Sequence, residues 1–152
     1  MTRVRQAVAD DIPELVRLRA LLFETLGDGS SSGGDWREAL VEVLKEDLDE
    51  DTKRILVVDG DGGLAACGVG FIELRLPGPR LRNGRLGQVI NVITDPAHRR
   101  RGHSRAIMKQ LLDWFAERDV ARVDLHASAD GERLYRALGF VDHPEPALYW
   151  RP

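Results

Sequence analysis

The sequence predicts one α/β domain over residues 1–152, with a sheet of mixed strand direction and helices on its faces. Three observations predict it. The length of 152 residues fits one compact core. Strand-like and helix-like segments follow in the order β-α-α-β-β-β-α-β-α-β, with no internal repeat. The apolar fraction, 43%, is ordinary for a globular protein.

Residues 2–7 alternate weakly and form a first strand. Asp11 is placed to cap a helix, with Pro13 in its first turn and Glu14 in the reciprocal capping position. Ile12, Leu15, Val16 and Leu22 then give that helix an apolar stripe. Residues 27–34 contain only Gly, Asp and Ser and cannot pack, so they read as a loop: a solvated linker, or a lip over a substrate cleft. Asp35 and Glu38 cap a second helix whose buried face is Trp36, Leu40, Val43 and Leu44. Residues 54–58 and 64–74 are strands, joined by a turn through Asp59, Gly60, Asp61, Gly62 and Gly63.

Residues 77–84 form another loop, and a fourth strand over 86–94 ends at Asp95 and Pro96. The most regular helix covers 102–118. Ile107, Met108, Leu111, Leu112 and Phe115 share one face, with Trp114 also packed inward. A fifth strand over 120–127, a short helix over 131–138 closed by Gly139, and a last strand over 147–151 complete the chain.

Several classes are disfavoured. No apolar run reaches the roughly 18 residues needed to cross a bilayer. The segment after Met1 lacks the apolar stretch of a signal peptide, so a cytoplasmic location is expected. The lone Cys67 sits in an apolar strand and reads as core filler. A net charge of −3 argues against a general nucleic-acid binder. Within that acidic balance, Arg99, Arg100, Arg101 and Arg105 crowd one short segment with His98 and His103. The patch suggests a small anionic ligand. Metal binding is not expected, because no third ligand follows the two histidines at a recognisable spacing.

In that segment a strand ends, a tight loop follows, and a long helix begins at Gly102. A helix start offers unpaired backbone N–H groups and a partial positive charge, which together favour an anion such as phosphate. Gly102 permits close approach, and small Ser104 keeps the next turn open. Arginines that are merely solvated remain the alternative on this ground alone.

The run from Asp95 through Pro96, Ala97, His98, Arg99, Arg100, Arg101, Gly102 and His103 to Ser104 resembles the coenzyme A signature of the GNAT superfamily of N-acetyltransferases. In that pattern Gln or Arg, two residues, Gly, one residue, and Gly or Ala follow in order. Arg99, Gly102 and Ser104 fill the places, and Ser104 is a small departure. Leu134, Tyr135, Gly139 and Phe140 are similar to the family's later motif, and residues 5–13 resemble its usual opening. The resemblance covers nearly the whole chain. It implies a mostly antiparallel twisted sheet splayed between the fourth and fifth strands, with acetyl-CoA in the gap as co-substrate. Amides of Arg100, Arg101, Gly102, His103, Ser104 and Arg105 would hold the diphosphate, and Val92, Ile93 and Thr94 would guide the pantetheine arm.

The activity implied is direct transfer of an acetyl group to an amine of a small molecule or peptide. Tyr135 is the candidate general acid for the leaving thiolate; the alternative is a packed tyrosine with its hydroxyl bonded to backbone. A backbone N–H near Val92 or Ile93 is the candidate for polarising the carbonyl. The base must deprotonate an ammonium of pKa about 10. Gln88 stands where some family members carry glutamate, so Glu73 and His126 are the candidates, along with a water chain. Alternation places Arg122, Asp124 and His126 on one strand face, where Asp124 could tune His126 or bind a cationic substrate. Ser128 stands where the family often has a coenzyme-contacting asparagine. His98 replaces an aromatic residue in its loop, and Trp36 reads as core, with lining of the cleft as the alternative. The resemblance admits a homodimer. The competing reading is an acyl-CoA-binding sensor of the same fold without turnover, which Gln88 favours and Tyr135 disfavours. The acceptor is left open; the loops over 27–34 and 77–84 and the second helix are where its choice is expected to reside.

Overall fold

The computed structural model describes residues 2–26 and 35–152. Its elements are β1 (Val4–Gln6), α1 (Ile12–Leu26), α2 (Trp36–Asp47), β2 (Lys53–Gly60), β3 (Gly63–Leu74), β4 (Arg85–Thr94), α3 (His103–Glu117), β5 (Arg122–Leu125) and α4 (Glu132–Ala137). The strands form one sheet in the order β1-β2-β3-β4-β5. The first three pairings are antiparallel and β4–β5 is parallel, which is the mixed, mostly antiparallel sheet expected. No described helix is long and apolar enough to cross a membrane.

Alternation along the strands feeds two cores. On one face, Ile12, Leu15 and Leu18 of α1 and Leu44 of α2 pack on Ile55, Val57, Cys67, Val69 and Ile93. On the other, Ile107, Met108, Leu111, Trp114 and Phe115 of α3 pack on Leu56, Val58, Ala66 and Val89. Cys67 is fully buried, and burial pushes its thiol up to about 12, so it stays protonated and inert.

α3 can lie close to the sheet because small residues face it. A Cβ on Gly68 would meet Ile107 Cγ2 at 2.6 Å. Gly68→Ala is therefore expected to force α3 outward and destabilise the fold by about 2 kcal/mol. Urea denaturation should show this as a lower midpoint at unchanged slope.

The structure departs from the sequence reading at four places. Asp11 does not cap α1: its carboxylate accepts from Val8 N–H at 2.8 Å and from the Arg5 guanidinium, and Glu14 accepts from Leu64 N–H instead. Asp35 precedes α2 but makes no side-chain capping bond. Val43 is exposed, and Val41 joins Leu40 and Leu48 against the core. Residues 147–151 form no strand, and Leu148, Tyr149 and Trp150 are exposed. Pro144, Pro146 and Pro152 bracket that segment; proline interrupts the N–H ladder an added strand would need. The loop over 27–34 lies outside the described residues.

Candidate functional site

β4 and β5 part midway. Their pairing runs from Leu86 opposite Arg122 to Val89 opposite Leu125, where β5 ends. β4 continues to Thr94, leaving an edge of about 16 Å without a strand on that side. Within this edge β4 bulges. Val69 faces Ile90 and Cys67 faces Ile93, so β4 carries one residue more than β3 across the step. Asn91 takes a left-handed φ of 58° there. The split leaves the β4 edge from Ile90 to Thr94, bulge included, without a partner strand on the β5 side among the described residues.

The gap leads to the start of α3. Arg100 has φ 64° and Gly102 φ 78°, alternate left-handed residues of the kind that turn successive N–H groups inward as an anion nest. Backbone N–H groups of residues 99–105 have no acceptor among the described residues. A Cβ on Gly102 would find nothing within 4 Å, so the helix tip is open. Thr94 Oγ1 and Ser104 Oγ share a hydrogen bond of 2.7 Å that ties the end of β4 to the first turn of α3. Arg99, Arg100, Arg101 and Arg105 make no ion pair among the described residues. Thr2 bonds the far side of the loop, at Arg101 carbonyl (3.4 Å) and His103 Nδ1 (3.2 Å). Burial, then His98 and Arg101, hold His103 below the usual imidazole range, which favours its neutral form.

A polar brace missed by the sequence reading fixes this loop. Arg17 of α1 bonds Glu14 at 2.8 Å, Asp95 at 2.7 Å and the Leu64 carbonyl at 3.1 Å. Asp95 in turn accepts from Ala97 N–H at 2.9 Å. His98 packs under Gly60, whose Cβ would come within 2.8 Å of its ring, so it acts as a wedge between the loop and β2. Arg17 holds the carboxyls of Glu14 and Asp95 below the ordinary range. Groups with depressed folded values stabilise fully above their unfolded values and lose that contribution as pH falls through the folded ones. Folding stability is therefore expected to drop as pH falls below about 4, and Arg17→Met should flatten that acid limb in urea titrations at stepped pH.

Tyr135 sits on α4, with its ring in the same core cluster as Ile107, Met108 and Leu111. It therefore lies on the α3 side of the sheet, as the open start of α3 does. Its hydroxyl makes no hydrogen bond among the described residues, unlike a tyrosine kept for structure. Burial pushes the phenol upward, so it holds its proton through the neutral range. Ser128 is beside it: a Cβ on Gly131 would touch both Tyr135 Cε2 (2.9 Å) and Ser128 Oγ (3.1 Å).

The base candidates separate. Glu73 of β3 accepts from Gln88 Nε2 of β4 at 3.3 Å and from Arg75 at 3.1 Å. These two bonds hold it below the ordinary carboxylate range, Gln88 foremost. Gln88 thus presents a carboxylate borrowed from the neighbouring strand. His126 is exposed just beyond the end of β5. Asp124 does not meet it: it pairs with Arg122 at 3.0 Å and lies 3.8 Å from His143. The alternation expected beyond Asp124 fails because the strand stops at Leu125.

On the α1 face of the bulge is a second cluster absent from the sequence reading. Arg19 Nη1 donates to Asn91 Oδ1 at 2.9 Å, and its guanidinium lies 5.1 Å above the Phe23 ring. Phe23 meets Trp36 edge to face at 5.5 Å, so Trp36 is half-buried beside this cluster. The available signal was Arg19 itself, four residues after Leu15 on the buried stripe of α1. Among the described residues no group of three His, Cys, Asp or Glu could hold a metal ion.

Comparison with known proteins follows the same lines. The profile of the "Acetyltransferase (GNAT) family" matches residues 15–140. A structure described as a "predicted acetyltransferase with acetyl-CoA" from Clostridium acetobutylicum superimposes with a TM-score of 0.84 at 23% identity, over 98% of this chain and 96% of that one. A GCN5-related N-acetyltransferase from Ralstonia eutropha gives 0.81 at 24% identity, over 99% of both chains. At these identities the likeness is one of fold. Histone acetyltransferase TAP1 of Glycine max is 30% identical over 64 residues, 41% of this chain. The match spans only 28% of that protein's length.

Proposed function

The chain belongs to the GNAT acetyltransferase family, and from that premise we propose that it moves an acetyl group from acetyl-CoA directly to an amine of a small molecule or peptide. The observation that carries this reading is the row of acceptor-free N–H groups at residues 99–105, opening beneath Gly102 at the end of the β4–β5 gap. Such a row fits a diphosphate, with the four unpaired arginines adding attraction. The unpaired edge of β4 suits the amide groups of a pantetheine arm, and Ser128 lies close enough to Tyr135 to touch the same ligand.

The chain's own groups then divide the work. Glu73, carried by Gln88, takes the ammonium proton directly or through water; His126 is the weaker candidate because it lies beyond the strand end. The amine nitrogen forms its bond to the thioester carbonyl carbon while a main-chain N–H of Val92 or Ile93 stabilises charge on the carbonyl oxygen. The carbon–sulfur bond breaks, and the Tyr135 phenol gives its proton to the departing sulfur, leaving the amide and a free thiol. The nitrogen loses its second proton as the tetrahedral centre collapses; that proton restores the phenol through solvent, and the ammonium proton taken by Glu73 is released to solvent.

Calorimetric titration with acetyl-CoA and CoA tests the first half, and thiol release across an amine panel the second. Saturable binding with thiol release is expected; no affinity at millimolar coenzyme sinks the proposal. One observation favours a second reading, an acyl-CoA sensor without turnover: Gln88 replaces the glutamate of some family members. Binding with no thiol release across the panel would select it.

A further inference from the structure

Arg19 is a cation without a counter-ion among the described residues, beside the β4 bulge. It projects from α1 toward the β4 bulge and spends one of its donors on Asn91 Oδ1 at 2.9 Å. No carboxylate among the described residues pairs with it, whereas Arg5, Arg17, Arg75, Arg122 and Arg136 are all paired with Asp or Glu. The guanidinium is partly buried over Phe23, and burial alone accounts for the downward shift of its pKa, against a small opposing effect from Cys67. A desolvated, unneutralised guanidinium is costly unless something outside the protein completes it. A second donor in the same cluster is also unfulfilled: Trp36 Nε1 is buried without an acceptor among the described residues.

The position matters as much as the charge. The cradle and Tyr135 lie on the α3 side, so that side of the gap is taken by the coenzyme and its proton donor. The opposite side at the bulge carries Asn91, Arg19 and the half-exposed Ile90, with Gln88 further along β4 and Glu73 beside it on β3. Three residues of strand, about 10 Å, separate Gln88 from Asn91. A small amine reaching the thioester from here must pass Arg19.

We propose that the acceptor is an amine bearing an oxyanion group, a carboxylate in the first place, which Arg19 grips with the donors that Asn91 leaves free. This inference rests on the transfer reading above and adds the substrate class. The planar fork suits bidentate contact with a carboxylate, and a phosphate monoester offers the same pair of oxygens. Phe23 and Trp36 would line the apolar part of the same molecule.

The test is thiol release with acetyl-CoA and matched amines: α-amino acids against their carboxamides, and phosphoethanolamine against ethanolamine. Wild type is expected to favour an oxyanion-bearing member over its neutral match by at least about tenfold in kcat/KM. In Arg19→Met that ratio should fall to about one, with Arg19→Lys between. The pair that shows the effect identifies the anion as carboxylate or phosphate. CoA affinity measured on the same samples reports whether each variant is folded, and the Lys variant decides if the Met variant is not. A preference for neutral or cationic amines, or an equal loss for both members of a pair in Arg19→Met, overturns the inference and leaves acetyl transfer standing. If no amine is turned over, calorimetry of the same amines on CoA-saturated protein decides. Arg19-dependent binding of the anionic member upholds Arg19 as an oxyanion grip while transfer, and with it the role of acceptor, falls; no such binding overturns the inference.

Discussion

Tyr135→Phe is expected to lower kcat on the order of 100-fold while leaving coenzyme affinity and folding stability close to wild type. The asymmetry follows from the hydroxyl's surroundings. It bonds to nothing among the described residues, so its removal strands no protein donor or acceptor. The ring's packing against Phe140, 6.0 Å away and edge to face, is kept by phenylalanine. A tyrosine held for structure would behave in the opposite way, costing stability and sparing kcat. pH adds a second readout. Burial raises the phenol's pKa, so its proton is present throughout the neutral range and is lost only above the ordinary value of about 10. Wild-type kcat should fall on that far alkaline side, and the variant's lower rate should lack the limb. Full kcat in Tyr135→Phe on any accepted amine would remove Tyr135 from the mechanism and pass the proton to water.

What the sequence made legible was periodic or local. α3 was readable because five large apolar residues repeat on one face and pack as expected. The open start of α3 was readable because Gly102 follows a strand and an Asp-Pro turn, a local pattern with local consequences. The turn between β2 and β3 was legible for the same reason, with Gly62 at φ 80°. What failed depended on partners distant in sequence. Asp11 looked like a cap until Arg5 and Val8 claimed its carboxylate. Residues 147–151 have the composition of a strand, but composition supplies no edge to pair with. Gln88 read as a lost base, and only the pairing of β3 with β4 brings Glu73 to it. Arg19 and Asn91 are 72 positions apart, and neither alone announces a site. The proposed acceptor side was the least legible part because long-range pairs build it, whereas the proposed coenzyme side is built by one continuous segment.

Gly102→Val should weaken CoA binding on the order of 100-fold, and comparison with Gly62→Val separates the reason. Both glycines sit in the left-handed region, at φ 78° and 80°, and neither would place a Cβ within 4 Å of another residue. Each substitution therefore imposes a similar backbone strain, about 1–2 kcal/mol, with no steric clash inside the protein. Their structural settings differ. Gly62 turns the chain between β2 and β3, while Gly102 opens the nest onto the gap. At Gly102 the valine methyls would stand where a diphosphate must approach the N–H groups. Losing two charge-assisted hydrogen bonds, at about 1.5 kcal/mol each, gives the factor of 100. Equal losses of denaturation midpoint in the two variants, with coenzyme affinity lost only at Gly102, would place the diphosphate against this helix tip. Equal affinity in both would mean that the coenzyme never comes close to residue 102, and the open row of N–H groups would then have to be explained by some other anion.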